Sequence, residues 1–158
     1  MSVNLVVAVT DSDWFETLRR RQDLSEVNFW APSGISFKAL QPGELFLFKL
    51  HAPRNVIVGG GVFAYANQLP CSMAWQAFGE ANGASTLREM RERVAKYRRT
   101  DPTDRVTDFA VGCRILTQPF FLAESDWIPV PDSWSKNTVT FKTYSTNEFD
   151  GARLWESM

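Results

Sequence analysis

The stretch NFWAPSGISFKALQPGELFLFKLHAPRNVIVGGGVFAY, residues Asn28 to Tyr65, decides the fold. It carries two strand-like runs, Leu45 to Leu50 and Val56 to Tyr65, each preceded by a turn signal. The first run is apolar at nearly every position, which predicts a strand covered on both faces. Gln41-Pro42-Gly43-Glu44 ahead of it has turn chemistry, with Pro presetting φ and Gly supplying the open backbone. Ala52-Pro53-Arg54-Asn55 closes a hairpin-like loop. The triple glycine Gly59-Gly60-Gly61 marks a bulge or a close backbone approach in the second run. An aromatic pair, Phe29-Trp30, precedes both strands, and the single histidine, His51, follows the first. The pattern is that of a small β-barrel with a ligand pocket at one rim.

Working outward, Leu5 to Val9 is β-branched and apolar, as in a buried strand. Asp11-Ser12-Asp13 offers N-cap oxygens, and Asp13 with Glu16 forms a variant capping box for a short helix ending near Arg19-Arg20-Arg21. Phe37 to Leu40 is a short strand or an extended segment. Two helices follow: Ser72 to Phe78, stopped by Gly79, and one that starts from the Thr86/Glu89 capping box and reaches roughly to Arg99. The loop at 100–108 is polar and holds Pro102. Phe109 to Gln118 alternates, with Val111, Cys113, Ile115 and Thr117 on one face and Arg114 on the other. Phe120 to Trp134 is loop-like and rich in Pro, Trp and Asp. Val139 to Tyr144 is a last strand, and Gly151 to Glu156 begins a helical pattern. The expectation is an α+β domain over residues 1–150, with 151–158 starting a linker or helix that leads to a further domain.

A chain of 158 residues suits one domain with a real core. Its net charge of −1 argues against a non-specific polyanion binder, which carries a broad basic field. Twelve Phe, six Trp and three Tyr are enough to build stacking pockets as well as a core. Two cysteines, Cys71 and Cys113, lie far apart without paired Cys/His spacing, so neither a zinc site nor a disulfide framework is signalled. That usage, with no basic n-region and no membrane-length apolar run, predicts a cytoplasmic protein with free thiols. No nucleophile–base pair, metal cluster or phosphate-cradling glycine loop stands out. The chain is therefore expected to be a binding module with no catalytic residues, no metal site and no cofactor.

The element order resembles the PUA-like superfamily and, within it, the EVE domains. In that comparison Trp30 matches a loop Trp, Gln41-Pro42-Gly43-Glu44 a K-x-G-D turn, Leu45 to Leu50 an aromatic strand, and Val56 to Val62 its successor. His51 falls one position later than the EVE histidine, and the helical insertion from Ser72 to Arg99 is longer than in a minimal EVE domain. The phrases VTDSDWF, EVNFWAPSG, FKALQPGELFLFKLHAP, NVIVGGGVFAY and ILTQPFF are similar to the N-terminal region of bacterial HNH restriction endonucleases. The resemblance implies a PUA-like (EVE/SRA-related) mixed β-barrel with flanking helices. It also implies the modified-DNA reader of a modification-dependent restriction endonuclease acting in phage defence. The partner would be double-stranded DNA carrying a modified base, flipped into an aromatic pocket. Catalysis, a divalent metal and any homodimer contact would belong to a fused HNH domain. An RNA-binding PUA-like module and a small-molecule or nucleotide sensor are the alternatives.

The candidate base pocket comprises Asp11, Asp13, Trp14, Asn28, Phe29, Trp30, Ser33, His51 and Gln118. Phe29 and Trp30 either form a stacking wall or plug the barrel end. Trp14 is an opposite wall or a core residue, with Asp11 and Asp13 as base acceptors or helix caps. Gln118 suits edge reading, because its amide both donates and accepts. Lys38, Lys49, Arg98, Arg99 and Lys142 are candidate contacts to the DNA backbone. Lys49, a charge inside an apolar strand, needs an exit to water or a partner. On the second long helix, Glu89–Arg93 and Glu92–Lys96 are expected to compensate each other, leaving Arg98 and Arg99 for phosphate.

Overall fold

The computed structural model describes residues 2–101, 103–104, 106–138 and 140–158. In chain order its elements are β1 (Asn4–Thr10), α1 (Ser12–Arg19), β2 (Glu26–Asn28), β3 (Leu45–Leu50), β4 (Val56–Pro70), α2 (Cys71–Phe78), α3 (Leu87–Arg98), β5 (Ala110–Phe121), β6 (Ile128–Pro129), β7 (Phe141–Ser145) and α4 (Phe149–Ser157). Short 3-10 turns occupy Gly79–Asn82 and Glu124–Asp126. The strands follow the order β2-β5-β4-β3-β1-β7, with β6 on β4. This is the expected mixed α+β class, but the sheet is not a closed barrel. Closure requires the two edge strands to meet along their length. Here they are β2, of 3 residues, and β7, of 5, which are short edges that end the ladder.

The chain forms two units, one of Met1–Ser12, Lys38–Ala64 and Thr117–Met158, the other of Asp13–Phe37 and Tyr65–Leu116. In the first unit β1 pairs parallel with β3, from Leu5↔Leu45 to Thr10↔Leu50, and antiparallel with β7. The Gln41–Glu44 turn forms as its sequence predicts: Glu44 N donates to Gln41 O at 3.1 Å and Gly43 takes φ +96°. The Glu44 carboxylate accepts the Gln41 and Asn4 amides, which ties this turn to the start of β1. β3 is buried from Phe46 to Leu50, as its unbroken apolar run requires. β3 and β4 pair antiparallel, with a register shift between Phe48 and Lys49. Leu5, Val7, Leu47, Ile57, Tyr144 and Leu154 form the core, closed by Phe120, Ile128, Val130 and Trp134. The segment expected to be loop from Phe120 to Trp134 thus supplies the end of β5, a 3-10 turn, β6 and core packing.

The glycine run has an internal cause. A Cβ at Gly59 would lie 2.3 Å from Phe120 O, and one at Gly60 would lie 2.6 Å from Phe46 O. Backbone of the same unit occupies the space that any side chain would need.

In the second unit Cys71, Ala74, Ala84, Met90, Val94, Val111, Cys113 and Ile115 form the core, with Trp30, Leu69, Trp75, Phe78, Leu87 and Phe109 packed on it. α2 ends at Gly79 (φ +55°), whose amide donates to Trp75 O. α3 starts at the predicted cap, where Thr86 Oγ1 accepts from Glu89 N at 3.1 Å. The Phe29-Trp30 segment is more regular than its sequence suggests. Phe29 N donates to Arg114 O at 2.9 Å, and Ala31 exchanges both backbone bonds with Gly112, so β2 is prolonged along β5. Phe37 to Leu40 lies outside any strand. Val139, the expected start of the last strand, is outside the described residues, as is Pro102; the strand observed is Phe141–Ser145.

Gly59→Ala is expected to lower stability by roughly 2–4 kcal/mol, because the clashing atom is a backbone oxygen of a neighbouring strand. The urea midpoint checks this, and an unchanged midpoint would show that β4 and β5 have room to spare.

Candidate functional site

The predicted site residues fall into two groups. Trp14, Asp13, Asn28, Phe29, Trp30 and Ser33 lie in the second unit, and Asp11, His51 and Gln118 in the first. The aromatic members in the second unit are brought together around a buried amide pair. Asn28 and Asn82 are both fully buried, and Asn28 Nδ2 donates to Asn82 Oδ1 at 2.9 Å. Asn28 Oδ1 accepts the Arg114 amide at 3.1 Å, and Asn82 Nδ2 donates to Ala74 O (3.1 Å) and Gly79 O (2.8 Å). Two indoles close the network: Trp14 Nε1 donates to Asn28 O at 3.1 Å and Trp30 Nε1 to Asn82 O at 2.9 Å.

Trp14 is only 5% exposed and packs edge-on against Phe29, with ring centroids 5.0 Å apart. A Cβ at Gly83, which takes φ +77°, would lie 2.1 Å from the Trp14 ring. These groups therefore hold the unit together, and the surface they leave is the partly exposed faces of Phe29, Trp30 and Ser33. Asp13 is exposed in the first turn of α1.

In the first unit, the parallel pairing of Thr10 with Leu50 brings the following residues, Asp11 and His51, off the same end of β1 and β3. Asp11 is partly buried and His51 exposed. Gln118 is exposed on β5 with φ +50°.

The candidate backbone cations also differ in setting. Lys38 is exposed in the first unit. Lys142 Nζ donates to Ser133 O at 2.9 Å and lies 4.9 Å from the Tyr144 ring centroid. Lys49 is 3% exposed, with its ammonium 4.9 Å from the Trp134 ring centroid, and burial lowers its pKa. An aromatic face is thus the partner that its place in an apolar strand required.

In the second unit, Arg98 Nη1 donates to Pro32 O at 2.9 Å and its guanidinium lies 4.6 Å from the Phe109 ring centroid. Arg99 is exposed in the left-handed cap position after α3. Of the two expected compensations on this helix, Arg93–Glu89 forms, but Glu92 pairs with Arg88 and leaves Lys96 over the Tyr97 ring.

Sequence reasoning gave no role to Asn82, and it left Arg114 as the charge on the second face of its strand. Among the described residues Arg114 Nε is buried without a hydrogen-bond partner, and its guanidinium lies 4.9 Å from the Phe37 centroid. Burial draws its pKa down to about 10. Both thiols are buried, and burial raises the pKa of each, that of Cys71 to about 11, so neither is poised as a nucleophile. Among the described residues no group of His, Cys, Asp or Glu is placed to hold a metal ion, and no helix is long and apolar enough to cross a membrane.

Neither a protein-family model nor a curated protein matches the chain. Among solved structures it is similar to ASCH from Zymomonas mobilis, with a TM-score of 0.60 and 9% identity over 98% of this chain and 94% of that one. A tyrosine-to-phenylalanine variant of the same protein aligns with a TM-score of 0.60, 9% identity and 98% and 97% coverage. A serine-to-alanine variant gives 0.57, 9%, 97% and 94%. At this identity the likeness establishes the fold alone: the chain folds as these ASCH structures do.

Two outcomes test the local reading. Asn82→Ala strips acceptors and donors from Asn28, Ala74 and Gly79, and should cost roughly 2–4 kcal/mol by urea unfolding. Lys49→Met should be neutral or stabilising, by roughly 1–3 kcal/mol at neutral pH, because it removes a buried cation. Its pH signature has a definite sign. The folded pKa lies below the ordinary 10.5, so the unfolded chain holds the proton more tightly. Wild-type stability should therefore rise as pH climbs through the folded pKa toward that value, and the rise should vanish in Lys49→Met.

Proposed function

We propose that the chain is a nucleic-acid-binding module. One observation carries the reading. The end of α3 concentrates Lys96, Arg98 and Arg99, and among the described residues none of the three pairs with a carboxylate, whereas Arg88 and Arg93 on the same helix each pair with a glutamate. A chain with a net charge of −1 that leaves three cations together unneutralised has a local field suited to phosphate. Helix-end cations also stabilise the helix itself, but by tenths of a kcal/mol to about 1 kcal/mol, and that role needs no ligand. Arg98 holds the carbonyl of Pro32, so the cluster adjoins the segment that follows Phe29 and Trp30. The likeness to ASCH structures supports the reading at the level of fold.

The finer proposal is duplex DNA with a modified base, read for a modification-dependent restriction system in which a fused HNH nuclease cuts. Extruding a base costs a few kcal/mol, and stacking on an aromatic face returns about 1–3 kcal/mol. The partly exposed faces of Phe29 and Trp30 are the stacking surfaces, with Trp14 and Asn28 supporting them from within. Polar groups at the rim would read the base edge.

The test is fluorescence polarisation on one duplex carrying cytosine, 5-methylcytosine, 5-hydroxymethylcytosine or N6-methyladenine, with a matched RNA. One modified probe should bind at least about tenfold tighter than its unmodified parent. Three phosphate contacts predict a log–log salt slope of about −3, falling by roughly two in the Arg98→Gln/Arg99→Gln double variant. Preference for the RNA would make the module an RNA binder. Absence of binding to every probe at low salt would remove the nucleic-acid reading altogether. Trp30→Ala is the wrong probe, because it empties a packed position and forfeits the bond to Asn82 O.

A further inference from the structure

Arg114 is an incomplete ion pair. Its strand, β5, is buried on either side of it, at Cys113 and Ile115, and the residue itself keeps only part of its surface in solvent. Its guanidinium lies over the Phe37 ring at 4.9 Å, while Nε is shut away from water without an acceptor. No salt bridge forms to it among the described residues, and burial alone accounts for its lowered pKa. A guanidinium stays charged at neutral pH, so the usual escape of a buried group by neutralisation is closed to it. Such a cation normally meets a carboxylate.

The segment that carries its aromatic partner is itself fixed. A Cβ at Gly112 would lie 3.0 Å from Ser33 O and 3.2 Å from Ile35 O, so the backbone before Phe37 passes tightly along β5. Arg98 grips the same segment at Pro32 O. Arg98, from α3, thus holds residue 32 and Arg114, from β5, lies over residue 37, and among the described residues neither forms a salt bridge.

We propose that Arg114, laid on Phe37, is the seat of an oxyanion of the phosphate class that completes this pair. The planar guanidinium fork matches the oxygens of a phosphate, which carries more charge than a single carboxylate. The site stands whether or not the chain binds a nucleic-acid polymer, because inorganic phosphate is itself the probe.

The experiment is thermal unfolding in sodium phosphate against sodium chloride at matched ionic strength, on the whole chain and on Arg114→Met and Arg114→Lys. Wild-type Tm should rise with the logarithm of phosphate concentration, by about 5 °C or more at concentrations far above its Kd. Arg114→Met should match or exceed wild type in chloride, because an unpaired buried charge is gone, yet keep only the small general phosphate effect expected of any protein. Should that variant fail to fold, Arg114→Lys keeps the charge but loses the flat fork, and its apparent phosphate affinity should fall at least tenfold. A phosphate response of undiminished size in either folded variant overturns the proposal, as does a wild-type Tm indifferent to phosphate. A nucleoside 5′-monophosphate run beside its nucleoside separates free phosphate from a nucleotide source: a larger response to the nucleotide assigns the seat to nucleotide phosphate, and an equal one to phosphate itself.

Discussion

The second unit depends on one constraint, the satisfaction of two fully buried amides. Asn28 and Asn82 come from segments 54 residues apart, and each would be costly to bury alone. Together they use nearly every donor and acceptor they have. Asn28 binds the Arg114 amide and, more weakly, Cys113 Sγ at 3.4 Å, while Asn82 reaches the carbonyl of Ala74 within α2 and that of Gly79 at the start of the turn that follows it. The backbone carbonyls of the same two residues then receive the Trp14 and Trp30 indoles. A network with so few open valences specifies one arrangement of β2, β5, α1 and α2, because any slip leaves several polar groups unmatched. The candidate pocket residues are thereby fixed in place. Whatever ligand meets Phe29 and Trp30 meets rings whose orientation is set from inside.

The first unit is governed by proximity. Gly59 and Gly60 are small because the backbone carbonyls of Phe120 and Phe46 stand where side chains would be. The register shift beside Lys49 lets Phe48 stay opposite Gly59 while Lys49 moves opposite Ile57. That displacement coincides with the one charge in the strand, whose ammonium ends over Trp134. Residues in the Pro- and Trp-rich segment between β5 and β7 therefore complete the core that the parallel pair β1 and β3 begins.

How far the sequence foretold this depends on the range of the interaction concerned. β3 matched to the residue, and the Thr86 cap, the Gly79 stop and the Gln41–Glu44 turn formed as expected, because each is decided within a few positions. β2 was missed, since three residues carry no periodicity and its pairing with β5 is a tertiary event. Barrel closure was expected from the order of elements, but order does not reveal that both edges are short. Trp14 was legible as a core residue or a pocket wall, but the network that buries Asn28 was not, because it depends on Asn82, which sits in a segment with nothing to mark it. The partner choice of Glu92 was a matter of rotamers: the spacing to Arg88 and to Lys96 is the same, and only the fold selects one.

Arg114 and Lys49 pose the same physical problem in different units and resolve it differently. Each is a cation on a mostly buried strand, and each is placed on an aromatic face. An ammonium is a compact charge, and burial lowers the pKa of Lys49 and so shifts it toward its neutral form. A guanidinium has no such outlet near neutral pH, and a ring does not satisfy in-plane donors. The Phe37 ring lies against the Arg114 group, and among the described residues no acceptor meets the Nε–H bond at its edge. That edge is where an anion supplies what the fold has not. The difference between the two cations is thus a difference in what burial does to each: it shifts Lys49 toward its neutral form, whereas Arg114 stays charged near neutral pH.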